Sequence, residues 1–128
     1  MKIVLLTFLL IGTLFAKDKG YVIDKTQHLM WQQCKKSDSL DRAFIFKSAQ
    51  SYCNNLYYLG YDDWRLPTAK ELQTSIQNKT LKHLAYDGYW SAEKDPKDPE
   101  DNALAVFAKN GHIYSQDFCE DTHIICVR

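Results

Sequence analysis

Asp63-Trp64-Arg65-Leu66-Pro67-Thr68-Ala69-Lys70-Glu71-Leu72 puts an aromatic, a permanent cation, a helix stop and a helix start into one short stretch. Pro67 disfavours helix at Leu66, because its ring crowds the residue before it. Thr68 and Glu71 have the Thr-x-x-Glu spacing of a capping box, in which each side chain satisfies a free amide at a helix start. A short helix is therefore predicted, with Leu72 and Ile76 four apart on one face, fading through Gln77 to Thr80. Arg65, beside Trp64, is expected to be held by stacking and by carboxylates or carbonyls, which its planar fork suits. That density reads as a structural joint. Trp64, Arg65, Pro67, Thr68 and Glu71, together with Trp90, are taken as a structural signature and not as an active site.

Upstream, Tyr21-Val22-Ile23-Asp24 and Leu29-Met30-Trp31-Gln32 flank the polar Lys25 to His28, and predict a hairpin. A first helix is predicted from about Leu40 to Leu59, with Phe46, Ala49, Cys53 and Leu56 on one face and Gly60 as its C-cap. Downstream, Tyr89 to Ala92 predicts a strand, and Lys94 to Asn102 an exposed, mobile charged loop carrying Pro96 and Pro99. Ala103 to Ala108 alternates weakly, with Leu104, Val106 and Ala108 on one face. Asn110-Gly111 is a strong hairpin signal, His112 to Tyr114 returns, and Thr122 to Val127 predicts a last strand.

Lys2, the apolar run Ile3 to Phe15, the small Ala16 and the charged Lys17-Asp18-Lys19 have the pattern of a secretory signal peptide. The apolar run is short for a bilayer core that needs about twenty residues, so no stable membrane span is expected. The expected organisation is a signal at residues 1–16 and a single domain at 17–128, exported to the periplasm, the cell surface or the medium. Losing Lys2 from 16 basic residues leaves 15 against 16 acidic ones, a balance with no general pull toward nucleic acid.

Four cysteines, Cys34, Cys53, Cys119 and Cys126, without a CxxC pair in an exported chain, predict disulfides rather than zinc. Three connectivities exist in principle. The favoured one joins Cys53 to Cys126, tying the first helix to the last strand, and Cys34 to Cys119.

The ordered set of Leu29-Met30-Trp31-Gln32, Tyr52-Cys53-Asn54-Asn55-Leu56, Gly60 to Thr68, Glu71-Leu72, Tyr89-Trp90-Ser91, Ala105-Val106-Phe107 with Gly111, and Cys126-Val127-Arg128 resembles the Lcl C-terminal domain family. The resemblance spans nearly all of the expected domain. It implies an α+β fold similar to C-type lectins and to formylglycine-generating enzyme: two helices packed on a small, irregular antiparallel sheet, stapled by disulfides. The Glu-Pro-Asn, Gln-Pro-Asp and Trp-Asn-Asp motifs of calcium-dependent lectins do not occur here. Calcium-mediated sugar binding is therefore not implied, and the late cysteines are spaced unlike those of the enzyme.

Chemistry-bearing residues are sparse. His28, His83, His112 and His123 lack helical metal-ligand spacing. Glu100-Asp101 and Glu120-Asp121 are read as exposed loop acids, with a shared hard-cation site as the sharper alternative. No nucleophile elbow and no phosphate loop is present, so no catalytic residue, metal or cofactor is expected. The tyrosines Tyr57, Tyr58, Tyr61, Tyr86, Tyr89 and Tyr114 exceed what a small core easily hides; the plain reading is half-buried packing around a small sheet, and the sharper one is a binding surface, since their faces suit sugars and protein partners. The expected function is a non-catalytic binding module for a glycan or an envelope protein, with oligomers allowed. Its expected ligand surface is the Ala92 to Asn102 loop with Tyr86, Tyr89, Tyr114, Glu100 and Asp101. The alternatives are a formylglycine-generating-like or thiol-redox enzyme, and a structural envelope protein.

Overall fold

A computed structural model describes residues 19–33, 42–82 and 84–128. The expected signal peptide, Cys34 and His83 lie outside these described residues. The elements are β1 (Tyr21–Asp24), β2 (Leu29–Gln32), α1 (Phe46–Asn54), α2 (Ala69–Gln77), β3 (Gly88–Lys94), β4 (Asn102–Phe107) and β5 (Ile113–Asp117). The chain is α+β. β1 and β2 form an antiparallel hairpin, and β3-β4-β5 form a second antiparallel sheet with β4 in the middle.

β3 and β4 of the second sheet carry buried residues on both faces, whereas β5 is exposed or half-buried along its length. Tyr89 and Val106 pack with Trp31, Leu72 and Ile76 on the α2 side. Trp90 and Ala105 pack with Phe46, Cys53 and Trp64 on the α1 side. The final segment alternates in the same way, Ile125 and Val127 toward α2 and Ile124 and Cys126 toward α1. This explains the weak alternation of Ala103 to Ala108, since a strand covered on both sides need not alternate apolar with polar.

The final segment is no continuous strand. It makes isolated bridges instead: Thr122 with Phe44, His123 with Tyr89, and Val127 with both Trp31 and Arg65. Backbone bonds from Gln32 N to Cys126 O (3.0 Å) and from Trp90 N to His123 O (2.9 Å) sew the hairpin and the sheet together through it. The Cys53–Cys126 disulfide adds α1 to that seam, with Cα atoms 5.6 Å apart. Cys119 is a free, exposed thiol, and Cys34, its expected partner, lies outside the described residues.

The first helix is shorter than its periodicity suggests. Phe44 is held in backbone pairing with Thr122, and Ile45 is extended, so helix begins only at Phe46. It ends at Asn54, and Gly60 does not cap it. Leu59 (φ 57°) and Gly60 (φ 82°) are instead the two central residues of a tight turn closed by reciprocal Tyr58 and Tyr61 backbone bonds. That is type I′ geometry, whose first central position favours Asn, Asp or Gly rather than Leu.

The Trp64-to-Leu72 joint forms as its residues dictate. Thr68 Oγ1 accepts from the Glu71 amide at 3.0 Å, and Glu71 Oε1 accepts from the Thr68 amide at 2.8 Å. Arg65 grips both Glu71 oxygens, at 2.8 and 2.9 Å, and donates to Leu66 O. The expected stacking of Arg65 on Trp64 is not what holds it. Trp64 packs against Tyr58 instead, and its indole donates to Tyr58 O at 3.1 Å. The register of β3 on β4 shifts between Trp90 and Lys94. The irregularity frees Ala92 N to bond Pro67 O, and Glu93 to accept from Ala69 N at 2.8 Å, so the sheet helps to cap α2.

A buried carboxylate locks the hairpin to α2. Asp24 accepts six hydrogen bonds, from Thr26 N and Oγ1, Gln27 N and Nε2, Ser75 Oγ and Asn78 Nδ2. Burial alone would raise its pKa, but the hydrogen bonds from Ser75, Thr26, Gln27 and Asn78 outweigh it and hold the carboxyl well below the usual range.

Candidate functional site

The residues expected to form a ligand surface do not gather into one. Tyr89 is buried, at 4% exposure, and its hydroxyl accepts from the Tyr86 amide. Tyr86 stacks on His123 with ring centroids 3.6 Å apart and belongs to the α2 side of the sheet. Tyr114 belongs to the α1 side, stacks on Phe107 at 4.0 Å, and turns its hydroxyl toward Gly88. Burial raises the Tyr114 pKa, and Asp87 adds to the effect. Glu100 and Asp101 are exposed, and Asp101 is fixed through its carbonyl to the Phe118 amide. Their loop is pinned more firmly than its composition suggests. Asp95 is buried, accepts from Ser115 Oγ at 2.6 Å and from the Lys97 amide, and its own amide bonds Asn102 O. Among the described residues, no three His, Cys, Asp or Glu side chains converge as a metal site would require.

A different surface does converge. A groove of about 550 Å³ runs along the outer face of α1, lined by Phe44, Lys47, Ser48, Ser51, Tyr52, Asn55, Leu56 and Tyr57. Its geometry follows from how α1 is anchored. Phe46, Ala49 and Cys53 face inward, and Cys53 is bonded to Cys126, so the opposite stripe must face solvent. Phe44 forms one wall because its backbone is paired with Thr122 and its carbonyl accepts from the Trp90 indole at 2.7 Å. The Tyr52 ring lies 5.4 Å from that of Phe44, and the Arg42 guanidinium sits over Phe44 at 5.5 Å. Tyr57, 74% exposed, closes the far end.

Chemically, the groove offers aromatic faces, two small hydroxyls, an amide and a cation. Among the described residues, no carboxylate lines it. Such a set offers stacking and hydrogen bonding to a ligand. Two signals in the sequence point to it. Lys47, Ser48, Ser51 and Asn55 recur at helical spacing on the face opposite the apolar stripe, and aromatics bracket them. What cannot be read locally is the place of Phe44, set by pairing with a residue near the other end of the chain.

The family model of the Lcl C-terminal domain matches residues 20–128. The chain belongs to that family. The match spans the described fold from the residue before β1 to Arg128, so the Lcl C-terminal domain here includes the hairpin, both helices, the second sheet and the sewn final segment. No curated protein matches the chain significantly. Among the described residues of this Lcl C-terminal domain, no helix is long and apolar enough to cross a membrane.

Proposed function

We propose that this Lcl C-terminal domain is an exported, non-catalytic binding module that recognises a glycan or a protein ligand in the cell envelope or outside the cell. The observation that carries the reading is the carboxylate-free, aromatic-walled groove on α1. Tyrosine faces suit both sugar rings and protein side chains, and Ser48, Ser51 and Asn55 supply hydrogen bonds that fix orientation. Two helices against small antiparallel sheets with a disulfide are compatible with a C-type lectin-like architecture, and the proposed export agrees with a disulfide as a major staple. A glycan array and an envelope pull-down, each without and with calcium, test the proposal. Binding is expected that Tyr57→Ala weakens at unchanged stability, and absence of binding in both formats refutes it.

One observation favours a second reading. Cys119 is exposed and free, which a thiol-redox activity needs. The sequence argues the other way: Cys119 belongs to no C-x-x-C pair of the kind that redox thiols use. Thiol titration of the oxidised protein together with a disulfide-exchange assay separates the two readings. An accessible thiol without exchange activity removes the redox one.

A further inference from the structure

The groove on α1 has an unusual distribution of charge. Lys47 stands in the first turn of α1, that turn has no acidic residue, and the last turn has no basic one. A helix N-terminus is its positive end, so this cation is at the unfavourable end of its own helix, and the negative C-terminal end is left uncompensated. Neither Lys47 nor Arg42 has a carboxylate partner among the described residues. An antiparallel second helix lying in the groove reverses both defects. Its C-terminal end meets Lys47, and its own Lys47 meets the C-terminal end of the first.

We infer that the occupant of this groove is α1 of a second copy of the chain, packed antiparallel about a two-fold axis near Ser51. The inference rests on the groove being the recognition surface proposed above, and names the protein it recognises. Ser48 and Ser51 are small and exposed, so two helix backbones can approach closely there. Pairing about Ser51 sets Lys47 of each copy opposite Asn55 of the other, and Tyr57 of each against the Phe44 wall of the other. Tyr57 is the most exposed large apolar side chain among the described residues, and this contact covers it twice. The interface is isologous: one patch serves both sides and the assembly closes at two.

Sedimentation equilibrium of the purified full chain across the micromolar range tests this. The expected result is a monomer–dimer equilibrium. Ser51→Arg sets two cations against each other at the axis, and is expected to weaken the dimer by about tenfold or more. Lys47→Glu puts a carboxylate beside the negative helix end and is expected to weaken it as well. Ser51→Cys is expected to cross-link as a dimer under mild oxidation beyond the level of the wild-type chain, which controls for Cys119. Because these positions are exposed, circular dichroism is expected to match wild type and thermal melts to show no loss of stability, with Lys47→Glu melting slightly higher. A chain monomeric throughout, or an assembly indifferent to Ser51→Arg, overturns the inference. A monomer that still retains a glycan or envelope protein, in a manner lost with Tyr57→Ala, removes the second copy and leaves the binding module standing. Absence of both kinds of association removes both.

Discussion

Trp64 is a keystone at the scale of single residues. It is 2% exposed, packs among Phe46, Leu66 and Trp90, and spends its indole donor on Tyr58 O. Trp64→Ala leaves a large cavity and is expected to cost about 3–5 kcal/mol, enough to unfold so small a domain. Urea titration checks this, and a variant that stays folded yet loses ligand contradicts it. Leu59 is the opposite case. Its φ of 57° is a conformation a branched side chain resists, and its side chain is 42% exposed, so little packing repays the strain. Leu59→Asn is expected to stabilise the protein by about 1 kcal/mol, because Asn adopts the left-handed region readily. An unchanged or lowered denaturation midpoint argues that the Leu59 side chain contributes more than its exposure suggests.

The start of α2 shows at the element scale what could be read from sequence and why. The capping box was legible because Thr68 and Glu71 act on amides three residues away. Glu93, which caps the same turn from β3, was not, because a register shift in a sheet brings it there. Asp24 was invisible as an anchor for the same reason: Ser75 and Asn78 reach it across separations of 51 and 54 residues. The groove on α1 was half legible, its polar stripe visible and its Phe44 wall not. Both anchors of α2 are acids held below their ordinary range, Asp24 by its hydrogen bonds against burial, and Glu71 mainly by the Arg65 hydrogen bond. A depressed carboxyl stabilises fully above the unfolded-state pKa of about 4, and this is lost as pH falls toward the folded value. The protection of α2 amides against hydrogen exchange, relative to the intrinsic rate at each pH, is thus expected to fall below about pH 4, ahead of the β3-β4-β5 sheet. Asp24→Asn points an amide donor at donors, and is expected to cost about 3 kcal/mol at neutral pH while flattening the acid limb of the stability curve. An acid limb identical to wild type would falsify the role given to Asp24.

At the scale of the whole molecule, the last residues do what a continuous strand would do elsewhere. Residues 122–128 touch the backbone of Phe44, Trp90, Gln32, Met30 and Arg65 in turn, so every layer is incomplete until this segment arrives. Its apolar run announced a strand, but a segment bonded to several different neighbours cannot keep one ladder, and bridges result. Such a seam is built from contacts distant in sequence, which makes closure entropy costly. The Cys53–Cys126 bond, across a separation of 73 residues, removes much of that cost in advance. In the chain-entropy picture a loop of this length is worth about 4 kcal/mol, a large share of a small domain's net stability. Reduction, or the Cys53→Ala/Cys126→Ala pair, is expected to lower the unfolding free energy by that amount. The denaturant slope discriminates the cause. If the bond acts by restraining the unfolded chain, cutting it expands that ensemble and the slope rises. If it acts only by packing α1 against the final segment, the slope stays constant while the midpoint falls. The distance between the two cysteines along the chain, and the burial of both at 0% exposure, favour a fall in midpoint with a rise in slope.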